Sequence, residues 1–70
     1  MTEIDVLIHT TNELGRCLDN INSLSPTTNI TREVLVHLTR LWSLSNSATL
    51  SLDLTARDKI IPPDYFRGPE

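Results

Sequence analysis

Apolar residues recur at helical spacing from the start of the chain. Ile4, Leu7, Leu14, Leu18 and Ile21 stand alternately three and four positions apart, with Thr11 filling the one polar slot. That is a single seam on one side of a helix, and Ile8 and Cys17 widen it. Thr2 and Asp5 have capping-box spacing, in which a hydroxyl and a carboxylate satisfy backbone N–H groups at the helix start. Gly15 lowers helix propensity by up to about 1 kcal/mol relative to Ala, so the helix leans on tertiary contacts, with a close neighbour expected at Gly15. These signals predict a first helix over about residues 3–23.

Ser23 to Asn29 reads as a loop, because Pro26 disfavours a helical Ser25 and the hydroxyl and amide side chains compete for backbone bonds. Thr31 is the expected N-cap of a second helix, with Ile30 and Leu35 placed as a hydrophobic staple. Val34, Leu35, Leu38, Leu41 and Trp42 then build a broad apolar face flanked by Val36 and Leu44. The helix is predicted over about 31–44, and Ser45-Asn46-Ser47 reads as a cap-rich turn.

The third segment carries two periods at once. Ala48, Leu50, Leu52, Leu54 and Ala56 alternate with polar residues, as in a strand, yet Leu50/Leu54 and Leu52/Ala56/Ile60 also make i,i+4 series. Leu and Ala favour helix, and a lone strand has no partner in the chain. A helix over about 48–61 is therefore expected. Pro62-Pro63 stops it, leaving an extended tail over 62–70 in which Tyr65 and Phe66 are expected to fold back and cap the helices.

With 70 residues, 39% of them apolar, the chain supports one modest core. The predicted architecture is an all-α bundle of three main helices, residues 1–61, followed by the Pro-containing tail. Six Lys and Arg oppose nine Asp and Glu, a net charge of −3, and no basic cluster occurs, which argues against nucleic acid as a direct partner. No apolar run approaches the roughly 20 residues that cross a bilayer, and the acidic start is unlike a signal peptide. One cysteine excludes an internal disulfide, and a reducing compartment, nuclear or cytoplasmic, is the expectation.

Catalytic or metal chemistry would rest on His9, Cys17 and His37, which lack ligand spacing such as His-x-x-x-His. The simpler reading makes the histidines surface residues and Cys17 a small buried hydrophobe. Glu3, Asp5, Glu13 and Asp19 read as a solvated acidic face, with a weak Glu13–Arg16 pair. Ser25-Pro26 matches a proline-directed phosphorylation site, and Asn29-Ile30-Thr31 a glycosylation sequon better explained by capping. No enzyme, cofactor or small-molecule substrate is expected.

From Leu18 onward the chain resembles the N-terminal helical domain of transcription elongation factor TFIIS, shared with Mediator and LEDGF-type proteins. The resemblance runs over about 18–60, through Leu18-Asp-Asn-Ile-Asn-Ser-Leu24, Ile30-Thr-Arg-Glu-Val-Leu35, Thr39-Arg-Leu41 and Leu54-Thr-Ala-Arg-Asp-Lys-Ile60. It implies a scaffold for short disordered peptides of a transcription- or chromatin-related assembly, with Leu35, Leu38 and Trp42 lining the receiving surface.

The expected function is a protein–protein interaction module that binds a peptide or helix, or a second copy of itself. Its warrant is apolar flank beyond what one short third helix covers. The residues expected to carry it are Leu7, Leu14, Leu18 and Ile21 on the first helix, Leu35, Leu38 and Trp42 on the second, and Tyr65 and Phe66 in the tail. The alternatives are a small histidine- and cysteine-dependent module and an N-terminal regulatory fragment of a larger protein.

Overall fold

Two long helices, α1 (Glu3–Leu24) and α2 (Asn29–Leu52), form an antiparallel hairpin in a computed structural model that describes residues 1–24 and 29–67. The direction follows from the pairing of Thr11 with Ser45 and of Gly15 with Trp42, one helix rising as the other falls. At about 1.5 Å per residue, the 24-residue α2 runs about 36 Å, nearly the full 38 Å length of the particle. Two 3₁₀ helices, Leu54–Lys59 and Asp64–Arg67, complete the all-α fold.

The capping box at the start of α1 forms in both directions. The Thr2 backbone N–H donates to Asp5 Oδ2, and the Asp5 N–H donates to Thr2 Oγ1, each at 3.2 Å. The Thr2 backbone N–H first, and then the Thr2 hydroxyl, hold the Asp5 carboxyl below its ordinary pKa of 3.8. The Glu13–Arg16 pair forms on the surface at 3.5 Å. The Ser25-Pro26 motif and most of the expected loop lie outside the described residues, and α2 begins at Asn29 rather than after Thr31.

The second helix does not stop at Ser45-Asn46-Ser47. It continues to Leu52 because Leu35, Leu38, Trp42, Ser45 and Thr49 keep one seam of alternating three- and four-residue steps against α1. The hydroxyls along that seam have partners. Thr11 Oγ1 donates to the Leu7 carbonyl at 2.8 Å and lies 2.6 Å from Ser45 Oγ, and Thr49 Oγ1 donates to the Ser45 carbonyl. Among the residues that locally favour a turn, Ser45 faces the Thr11 hydroxyl and gives its carbonyl to the Thr49 hydroxyl one turn on. Thr11 and Thr49 are fully buried on these terms.

The third helix is correspondingly shorter and tighter than the expected 48–61. Residues 48–52 end α2, and Asp53 then turns extended, at φ −153° and ψ 103°, while its carboxylate accepts from the Thr55 N–H and hydroxyl. An acidic side chain that captures the backbone two residues on breaks the α-ladder and starts the 3₁₀ turn. The core closes around Leu18, Leu35, Trp42, Ala56 and Ile60, with Leu14, Ile21, Leu38, Leu50 and Tyr65 packed around it.

Candidate interaction surface

The tail does not extend into solvent. It runs back along α1 in the same direction, gripped by three positions on one side of that helix. Asn12 Nδ2 donates to the Lys59 carbonyl at 3.2 Å and Asn12 Oδ1 accepts the Ile61 N–H at 2.9 Å, so one amide holds the backbone on both sides of Ile60. One turn on, Gly15 leaves room for the chain. A Cβ there would lie 3.4 Å from Trp42 Nε1, 3.6 Å from the Ile61 carbonyl and 3.6 Å from Pro63 Cβ. This is the close neighbour expected at Gly15. A further turn on, the Asp19 carboxylate accepts the Asp64 and Tyr65 N–H groups at 3.1 and 2.9 Å, capping the second 3₁₀ helix.

Asp19 therefore does not belong to a purely solvated acidic face; it holds the tail. A small cleft of about 110 Å³ remains between Asn12, Gly15, Arg16, Asp19 and the Ile61-Pro62-Pro63 segment. Ile60 and Pro63 are the buried residues of this stretch, and the Phe66 ring stands edge-on to Trp42, centroids 4.9 Å apart at 84°. The aromatic fold-back forms, though as a 3₁₀ turn rather than an extended tail.

The strap covers one flank of the hairpin and leaves another bare. Each core residue of α2 has an exposed neighbour one position earlier: Val34 beside Leu35, His37 beside Leu38, Leu41 beside Trp42, Leu44 beside Ser45, Ala48 beside Thr49. Together with Ile30 they make a second seam of four- and three-residue steps, rotated about 100° from the core. It is well exposed, Leu41 by 50%, Leu44 by 67% and Ile30 by 76%, and Leu52 extends it at 63%. A run of large apolar side chains along one helix face differs from the scattered apolar residues of an ordinary surface.

The residues expected to receive a partner divide between core and rim. Leu18, Leu35 and Trp42 are buried within the hairpin. Leu7, Leu14, Ile21 and Leu38 are partly exposed along its edge, Tyr65 is half-buried, and Phe66 is 40% exposed against Trp42. The spacing alone does not separate the exposed seam of Ile30, Val34, Leu41 and Leu44: Val34 and Leu41 read as part of the broad apolar face, Leu44 as its flank and Ile30 as a staple residue.

His9, Cys17 and His37 are all exposed. Cys17 is not the buried hydrophobe expected, because its position falls outside the arc of α1 that packs on α2 and the tail. Among the described residues, no three His, Cys, Asp or Glu side chains converge as metal ligands, and no helix is long and apolar enough to cross a membrane. No protein-family model matches this chain, and comparison with curated proteins and with solved structures returns no match.

Proposed function

We propose that this chain is a non-enzymatic protein–protein interaction module that docks a helical partner along the outer seam of α2. The observation that carries the reading is the second apolar seam, Ile30, Val34, Leu41 and Leu44, solvent-exposed while its one-residue-offset twin fills the core. A helix laid along such a stripe buries apolar area without disturbing the hairpin. The tail strap contributes by packing Phe66 against Trp42, away from the exposed Leu41 and Leu44. An unpaired, exposed Cys17 fits a reducing compartment, cytoplasmic or nuclear.

Site-specific photo-crosslinking tests this reading. A benzophenone side chain at Leu41 is expected to give a discrete adduct that disappears when Val34→Glu is added. The same group at Glu13, on the acidic side of α1, is expected to give none. Absence of any adduct from Leu41, or an adduct indifferent to Val34→Glu, would overturn the reading.

A further inference from the structure

Resting on that docking reading, we propose that the occupant of the outer seam is a second copy of this chain, laid antiparallel along α2 about a two-fold axis at His37. The seam is its own complement under this operation. Val34 faces Leu41 of the second copy, Ile30 faces Leu44, and His37, the one polar residue among the seam positions 30, 34, 37, 41 and 44, meets itself at the centre. Sliding the copies by a heptad in either direction sets His37 against Ile30 or Leu44, where an imidazole loses water for no polar partner. A single polar residue in an apolar seam selects register in this way.

The flanking charges agree with the same arrangement. Glu33 and Arg40 lie seven residues apart and therefore on the same flank of the seam, both exposed. Among the described residues neither makes an ion pair within the fold. The two-fold places Glu33 of each copy opposite Arg40 of the other, giving two matched pairs. A parallel pair sets this flank against the one carrying Leu38 and Ser45, which offers no opposite charge. The chain's excess acid also lies elsewhere. Arg32, Glu33 and Arg40 are the only charged residues of α2, so two copies approach through their least acidic helix. Joining two helical hairpins this way makes a four-helix layer, a common answer to a hairpin with one uncovered face.

Sedimentation equilibrium on the full chain tests the proposal, with circular dichroism confirming that each variant stays helical. The wild type is expected to reach twice the chain mass as concentration rises. Glu33→Arg alone and Arg40→Glu alone are each expected to weaken association roughly tenfold, since two matched pairs become two like-charged ones. Mixing these two variants is expected to restore association, because the heterodimer regains both pairs. Mixing Glu13→Arg with Arg57→Glu, the same charge changes off α2, is expected to leave the wild-type constant unchanged. A wild type that remains monomeric, or a mixture of the Glu33 and Arg40 variants that fails to recover, would contradict the proposal. A monomeric wild type with Leu41 adducts to a chain of different mass removes only the second copy as occupant. A monomer without Leu41 adducts removes the docking reading as well.

Discussion

The indole nitrogen of Trp42 lies 3.4 Å from where a β-carbon on Gly15 would stand, with the Ile61 carbonyl and Pro63 Cβ each at 3.6 Å. The distance is that of ordinary van der Waals contact, so a methyl fits without displacing the ring. Gly15→Ala should therefore gain helix propensity at little steric cost and stabilise the fold by up to about 1 kcal/mol. Gly15→Val should do the reverse, pressing its branches on Trp42, Ile61 and Pro63. Urea unfolding of the two variants measures both signs.

Adjacent residues of α2 should behave oppositely. Trp42→Ala removes the largest core side chain and its edge contact with Phe66, and is expected to cost about 3–5 kcal/mol, enough to unfold much of so small a domain. Leu41→Ala, on the exposed seam, should change the stability of the monomer by no more than about 0.5 kcal/mol. Thermal melts at low concentration, where association is negligible, separate the two.

The Thr11–Ser45 contact should be coupled. Thr11→Val keeps the volume but leaves the Ser45 hydroxyl facing a methyl, at an expected cost of about 1–3 kcal/mol. Ser45→Ala in the same background should recover part of that loss, because an apolar pair leaves no hydroxyl stranded. A double-mutant cycle in urea reads the coupling directly.

Asn12→Ala should free the tail without melting the hairpin. It removes both bonds that hold the Lys59 carbonyl and the Ile61 N–H, while every contact between α1 and α2 stays in place. Native-state hydrogen exchange is expected to speed up at the Ile61, Asp64 and Tyr65 amides and to stay unchanged in the middle of α2. Uniform acceleration along the chain would show that the strap is integral to the core.

Acid should weaken the fold through two caps. Asp5 is held below 3.8 by the Thr2 backbone N–H and then its side chain, and Asp53 below 3.8 by the Thr55 hydroxyl and then its N–H. A carboxyl whose folded value is depressed stabilises the fold fully above the unfolded value near 3.8, and that contribution fades as pH falls through the lower folded value. Carboxyl carbon titrations by NMR should place both groups below the unfolded value. Asp53→Asn should remove the Asp53 contribution and leave that of Asp5 in place.

Much of this architecture is legible in the residues themselves. The seam of α1, the reciprocal Thr2–Asp5 cap and the surplus apolar arc of α2 follow from three- and four-residue spacing, and the close neighbour at Gly15 from a glycine inside a helix. The continuation through Ser45-Asn46-Ser47 is not local. Serine and asparagine favour turns alone, and the seam packed on α1, with Thr11 facing Ser45, makes them helical there. Asn12 and Asp19 escape notice for a related reason. They bind backbone groups some 45 to 49 positions away, and a backbone partner leaves no side-chain signature in the sequence. On α2, the two seams are offset by a single residue and merge into one broad face until the packing of α1 shows which is covered.

Methyl NMR across a concentration series tests the central claim most directly, that this chain associates through the outer seam of α2. As concentration rises, the methyl signals of Val34, Leu41 and Leu44 are expected to shift together, while those of Leu18 and Leu35 in the core hold still. Outer-seam methyls that never move, or shifts confined to Ile60 and Ile61 at the tail strap, would contradict this.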